Sequence, residues 1–246
     1  MRKWLLSLDP GQTRDPFAIQ IWRANPVLLP GALQLGTENR IQLKDDLVMQ
    51  YKIMDTKYKV VCNFVLELVS REDMRDQYML LLDATGIGRA VKEEFQDMGI
   101  KSMIPIVYTA GGRVNHVYRD TSDRRFNTGS GYSALDFKTL DEIHVPKADM
   151  VDCTRLALEQ SQIRIAPNVP YADDFKRQMI SFTGKMSPNG YTSYNNSSDE
   201  IHDEWVNCLM LRSWYRQNFK ETFAKATGAD KPTEIADIGI RRMRHD

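Results

Sequence analysis

Tyr78-Met79-Leu80-Leu81-Leu82-Asp83-Ala84-Thr85-Gly86-Ile87-Gly88 joins an apolar run to an acidic, glycine-rich turn. The near-continuous apolar run from Tyr78 to Leu82 has the length and pattern of a strand buried on both faces. It stops at Asp83, and the glycines that follow make a turn. From Gly86 to Met98 the apolar residues recur at helical spacing, and Gly99 closes that helix. Ile104 to Tyr108 is the next strand-like run. Strand, helix and strand in succession are a βαβ unit, which places its two strands in parallel and assigns the chain to the α/β class.

Upstream, Trp4 to Leu8 is a short apolar run ending in the turn sequence Asp9-Pro10-Gly11. Phe17 to Trp22 is a second strand-like run, close enough to the first for a hairpin. Leu33 to Leu43 roughly alternates about Gly36, as an edge strand does. Asp45 to about Glu72 reads as mainly helical, with Asp45 or Asp46 as N-cap, although Val60 to Val69 is rich in β-branched residues. Downstream, Ala110 to Gly131 is a Gly-, Ser-, Asn- and Arg-rich loop or flexible hairpin. Lys147 to Ser161 is a helix, Ile163 to Pro167 a short strand, and Ala172 to Phe182 another helix. Gly184 to Ser198 is a polar loop, and Glu200 to about Lys225 is helical. A domain spanning residues 1–215 and a charged, amphipathic tail at 216–246 are expected.

Composition adds little about partners. Lys+Arg and Asp+Glu each number 33, so any contact with nucleic acid depends on local patches. The three cysteines, Cys62, Cys153 and Cys208, form no CxxC pair, which leaves buried free thiols rather than a zinc ribbon or disulfide framework. No apolar run approaches the roughly 18 residues of a membrane helix. Asp9 interrupts the apolar start too early for a signal peptide, so a soluble cytoplasmic protein is expected.

Asp9 and Asp83 each follow a buried strand directly. In an open α/β sheet ligands bind beyond the carboxyl ends of the strands, so the two carboxylates converge if those strands are neighbours. Asp203 begins a helix whose Ile201, Trp205 and Leu209 share one stripe, with Asn207 beside it at i, i+4 from Asp203. Taken singly, each Asp has an ordinary role as a turn residue or as a charge favoured at a helix N-terminus. Together around one sheet they repel unless a cation intervenes, and magnesium or manganese prefers such hard oxygens. Two ions roughly 3.5–4 Å apart can activate a water and stabilise the leaving oxygen of a phosphodiester.

At this point the sequence resembles the C-terminal nuclease domain of tailed-bacteriophage large terminase subunits. Leu8-Asp9-Pro10-Gly11-Gln12-Thr13-Arg14-Asp15-Pro16-Phe17-Ala18-Ile19 resembles the family's first acidic strand and hairpin. Leu82-Asp83-Ala84-Thr85-Gly86-Ile87-Gly88 resembles its second acidic motif. Val145-Pro146-Lys147 resembles the segment after its variable loop, and Ile201-His202-Asp203-Glu204-Trp205-Val206-Asn207 resembles its closing His-Asp-Asp motif. The ordered set, over roughly residues 4–215, is more specific than any single motif. The resemblance implies a ribonuclease-H-like mixed central sheet flanked by helices, and metal-dependent endonuclease activity on double-stranded DNA during viral genome packaging. It also implies two Mg2+ or Mn2+ ions held by Asp9, Asp83 and Asp203, with Asp9 bridging both. His202, Asp15 and Glu204 occupy neighbouring motif positions, Glu204 standing where a second Asp is commoner. The implied partners are DNA, a terminase ATPase domain, a portal and a small terminase subunit, in the host cytoplasm.

Full terminases carry an ATPase domain ahead of the nuclease, and no GxxxxGK[ST] phosphate loop occurs in this sequence. The chain is therefore expected to be an excised domain or a separately encoded nuclease. Backbone contact with DNA is expected of Arg113, Arg119, Arg124 and Arg125 in the long loop, and of Lys147, Arg155 and Lys185. An ordinary solvated loop is the alternative for the arginines, since Asp120 and Asp123 interrupt them. Gly86-Ile87-Gly88-Arg89 is either a phosphate cradle at a helix N-terminus or simply a tight turn. Three other functions remain open. One is a transposase- or resolvase-like nuclease. Another is an actin- or sugar-kinase-like ATPase, given Asp9-Pro10-Gly11-Gln12-Thr13. The third is a packaging or scaffold module with a dead acidic site.

Overall fold

In the computed structural model the elements run β1 (Trp4–Asp9), β2 (Phe17–Leu28), β3 (Ile41–Ile53), α1 (Tyr58–Ser70), β4 (Tyr78–Asp83), α2 (Gly88–Asp97) and β5 (Met103–Thr109). They continue with β6 (Asn115–Tyr118), β7 (Leu140–Pro146), α3 (Lys147–Glu159), β8 (Ile163–Ile165), α4 (Ala172–Ser181), β9 (Phe182–Met186), β10 (Thr192–Asn196) and α5 (Glu204–Asn218). The structure describes residues 2–11, 15–28, 41–100, 102–118, 140–186, 192–197 and 201–219.

The expected βαβ unit is present, since β4 and β5 pair in parallel on either side of α2. β1 lies along the other edge of β4, also in parallel, with Leu8 opposite Leu82. The full sheet has eight strands in the order β6-β7-β5-β4-β1-β2-β3-β8 and is mixed, because β2 and β6 run against their neighbours. Central strands buried on both faces need apolar residues of both parities, which is why Trp4–Leu8 and Met79–Leu82 read as runs rather than alternations. Leu5, Met79, Leu81, Ile104 and Ile106 pack beneath α3, α4 and α5. Leu6, Leu8, Leu80 and Leu82 face α1 and α2 instead. Parity therefore assigns each strand-end residue to a face. Asp9 and Asp83 fall on the α5 side, as does Tyr108 of β5.

Three expectations are corrected. The helix read from Asp45 to Glu72 is two elements, β3 and α1. Asp45 caps nothing. It is fully buried in β3 and receives Arg212 at 2.6 Å and Arg216 at 3.0 Å from α5. The alternation Met49-Gln50-Tyr51-Lys52-Ile53 is that of a strand, but a bulge opposite Ile21 and Trp22 breaks its period and masks the signal. Gly184 to Ser198, read as a polar loop, contains the antiparallel hairpin of β9 and β10. Of the expected edge strand from Leu33 to Leu43, Ile41 to Leu43 open β3 and the rest lies outside the described residues; among the described strands β8 ends the sheet beside β3.

The last helix is longer in its consequences than its expected stripe. Every residue of α5 from Glu204 to Tyr215 is buried, because the helix lies between the sheet and the α3–α4 layer. Its backbone runs unbroken to Asn218, and Phe219 packs on Trp214 and Tyr215. Residues 220–246, including most of the expected tail, lie outside the described residues. The cysteines are free thiols, with Cys62 and Cys208 buried.

Candidate active site

Two aspartates reach the same place because β1 and β4 are parallel neighbours in register. Each ends its strand, and each points to the α5 side by parity. The Asp83 backbone turns sharply into α2. Thr85 donates its N–H to Asp83 Oδ1 at 2.8 Å, and the Thr85 hydroxyl accepts the Tyr108 N–H at 3.0 Å. Gly86 adopts φ +58°, a left-handed conformation that suits glycine. A Cβ on Gly88 would overlap the Asp83 carbonyl oxygen, so that glycine is needed for close approach between the helix start and the strand end. This gives the Gly86–Gly88 turn a structural task of its own.

Asp203 comes from above, as the N-cap residue of α5. One turn later, Asn207 donates the same amide nitrogen to Asp203 Oδ1 at 3.2 Å and to Asp9 Oδ2 at 2.9 Å. Lys147, the first residue of α3, donates to Asp203 Oδ2 at 3.4 Å. Tyr108 closes the floor, its hydroxyl donating to the Asn207 carbonyl at 3.4 Å. Asp9, Asp83 and Asp203 thus come from three parts of the chain to one cluster, with Asn207 and Lys147 between them.

The electrostatics are those of crowded carboxylates. Burial, and then the Asp83 charge, push the Asp9 carboxyl well above its usual range, opposed in part by the Asn207 amide. Burial likewise raises Asp83 from 3.8 to about 6, against the Thr85 hydrogen bonds and the Lys147 charge. The Tyr108 hydroxyl is pushed well up, first by burial and then by Asp83 and Asp9. A concentration of strongly shifted groups at one sheet end is a mark of functional sites.

The other expected residues divide. His202 and Asp15 meet at the rim, with Nδ1 and Oδ1 3.0 Å apart and both side chains substantially exposed. Glu204 turns toward Lys52 of β3, 3.0 Å away, which also lies 3.5 Å from Asp174. Arg113 is exposed beyond β5, and Lys185 is exposed on β9. Arg155 is exposed on α3 beside Asp152 and Glu159 of its own helix. Arg119, Arg124 and Arg125 lie outside the described residues. Lys147, expected to contact the DNA backbone, lies within the acidic cluster. Sequence reasoning placed Tyr108 in a strand but not in the site, although it lies near the end of β5 on the same face as the two aspartates. It also overlooked the part that Asn207 plays between two carboxylates.

The donor set suits a divalent metal. Its oxygens are hard, its carboxylates repel one another, and the buried Oδ1 of Asn207 has no hydrogen-bond partner among the described residues. Among the described residues no group of three or more His, Cys, Asp or Glu side chains is arranged to hold an ion as it stands. Here the Asn207 amide and the Lys147 ammonium take up carboxylate oxygens instead.

The sequence matches no family model and no curated protein. Solved structures do match. The magnesium-bound large terminase nuclease from thermophilic phage G20c superposes with a TM-score of 0.52 at 13% identity, over 87% of this chain and 80% of that one. The fold is that of the large terminase nucleases. A cobalt-bound structure of the G20c nuclease gives 0.53 at 13% identity over the same shares. The large terminase nuclease domain of Thermus phage P74-26 gives 0.50 at 14% identity, over 89% of this chain and 81% of that one. The ribonuclease-H-like mixed sheet implied by the sequence resemblance is therefore present. In this terminase-nuclease fold the end of the sheet bearing Asp9 and Asp83 is the end covered by the start of α5.

Proposed function

We propose that this chain is a metal-dependent endonuclease that cuts double-stranded DNA during viral genome packaging, as the nuclease part of a large terminase. The observation that carries the reading is the meeting of Asp9, Asp83 and Asp203 at one sheet end, tied through Asn207 and Lys147. The magnesium and cobalt in the neighbouring terminase nucleases favour the same conclusion.

In this reading Asp9, Asp83 and Asp203 would hold two divalent ions, Mg2+ or Mn2+. Bound ions would supply activation of water and neutralisation of charge on the scissile phosphate. The residues of the chain itself set the geometry. The Gly86–Gly88 turn and the Thr85 N–H fix the Asp83 carboxylate, while Asn207 fixes Asp9 against Asp203. Burial of Asp83 and the surrounding apolar sheet keep the local dielectric low, which strengthens every charge interaction at the site. His202 and Asp15, at the open rim, stand where a substrate backbone would enter. Glu204 is held away by Lys52 and acts in positioning α5 rather than as a ligand. The ATPase domain, portal and small terminase subunit are the proposed partners, in the host cytoplasm. Among the described residues no helix is long and apolar enough to cross a membrane.

The test is nicking of supercoiled plasmid in Mn2+ or Mg2+. The wild-type chain should nick in the presence of either ion and not in EDTA. Asp9→Asn and Asp203→Asn should lose cleavage while keeping the wild-type circular dichroism spectrum. A folded Asp9→Asn protein that nicks at the wild-type rate would remove Asp9 from the mechanism. ATP hydrolysis by the isolated chain would favour the kinase-like alternative.

A further inference from the structure

Lys147 is an unusual choice for its position. It is the first residue of α3, following Pro146, where a cation opposes the helix dipole. Helix stability therefore does not account for it. Its side chain is 21% exposed and runs inward rather than into solvent. The ammonium lies 3.4 Å from Asp203 Oδ2, and its charge lowers the proton affinity of Asp83 as well. It also stands over two aromatic rings, 5.8 Å from the centroid of Tyr108 and 5.7 Å from that of Phe182, distances typical of cation–π contact. Lys147 thus meets a carboxylate and lies over two aromatic rings at the same time.

The geometry points to Lys147 as a built-in counter-ion of the acidic cluster, which yields Asp203 when divalent metal is bound and then presents its ammonium to a DNA phosphate. The inference rests on the metal-dependent reading of this site. A compact, strongly hydrated ammonium on a flexible four-carbon stem suits such an exchange, because it can swing without any change in backbone. Charge balance gives the exchange its direction. Without metal, Lys147 offsets part of the repulsion among Asp9, Asp83 and Asp203. With divalent ions present, a further cation against Asp203 is unfavourable, and the polyanionic backbone of DNA becomes the better partner. Metal loading and DNA affinity are then coupled through one side chain.

Two measurements on the full chain test this. Titration calorimetry with Mn2+ compares the wild type, Lys147→Met and Lys147→Arg. Lys147→Met, which keeps the stem and removes the charge, should bind Mn2+ at least tenfold more tightly than wild type. Lys147→Arg should stay within about threefold, since the cation remains. Equal or weaker Mn2+ binding by Lys147→Met overturns the proposal, as does tenfold tighter binding by Lys147→Arg. Should Lys147→Met fail to fold, Lys147→Gln serves in its place. The second measurement is binding of a short DNA duplex with and without Ca2+. Ca2+ should raise wild-type affinity at least fivefold more than it raises that of Lys147→Met, and an equal rise in both overturns the proposal. Wild-type protein that binds no Mn2+ at all overturns the nuclease reading together with this one. Metal binding by the wild type with no change in Lys147→Met overturns the counter-ion role alone.

Discussion

Replacing Asp83 by Asn should stabilise the metal-free protein and abolish its response to metal. Asn keeps an Oδ1 acceptor for the Thr85 N–H, so the local turn is preserved while the charge is removed. In the folded chain Asp83 is 7% exposed, and its carboxyl is raised from 3.8 to about 6 by burial and by the Asp203 charge. Each tenfold change in proton affinity corresponds to about 1.4 kcal/mol, so an ionised Asp83 costs the fold on the order of 3 kcal/mol. The folded state binds this proton more tightly than the unfolded chain does. Stability is therefore fully retained below pH 3.8, declines as pH rises toward about 6, and bears the whole cost above that. For a domain of this size about 3 kcal/mol corresponds to a shift in Tm of roughly 6–12 °C. Differential scanning fluorimetry in EDTA should show Asp83→Asn above wild type by that order at pH 8, with the gap closing near pH 4. Manganese should raise the wild-type Tm at pH 8 and leave that of Asp83→Asn nearly unchanged. The reasoning fails if Asp83→Asn melts at or below the wild-type temperature at pH 8, or if the gap is independent of pH.

Three further predictions follow from single contacts. Asp45→Ala leaves two buried guanidinium groups without their carboxylate and should cost about 3–5 kcal/mol in urea unfolding, and a loss below about 1 kcal/mol would mean that α5 is not anchored there. Gly88→Ala forces a methyl against the Asp83 carbonyl oxygen, so it should destabilise the chain by about 1–3 kcal/mol and weaken Mn2+ binding in calorimetry. Unchanged Mn2+ affinity in that variant would show that the turn does not set the Asp83 carboxylate. Asn207→Ala removes one donor from two carboxylates and should lower stability in EDTA by about 1–3 kcal/mol, with nicking slowed at least tenfold; wild-type nicking would dismiss the bridge as incidental.

Much of this architecture was legible one segment at a time. Tyr78–Leu82 and Trp4–Leu8 announced themselves because strands buried on both faces must be apolar throughout. The α2 boundaries followed from helical periodicity and from Gly99, which adopts φ +79°. β3 was misread for an equally physical reason. Its bulge spoils the two-residue period, and its Asp45 and Asp46 imitate a helix start, while the partners that make Asp45 tolerable in a core lie on α5, far along the chain. The β9–β10 hairpin was hidden by its composition, since exposed strands of Thr, Gly, Ser and Asn carry little apolar signal.

Local pattern by itself fixed that Asp9 and Asp83 end buried strands and that Asp203 opens a helix. That the three share one site is a property of the folded chain, because sharing depends on β1 lying beside β4 in register and on α5 crossing that end of the sheet. The tertiary structure alone placed Lys147 inside the cluster, turned Glu204 toward Lys52 and set Asn207 between two carboxylates. Those facts depend on which distant residues become neighbours. Periodicity reports which face of an element is buried, and carries no record of what it is buried against.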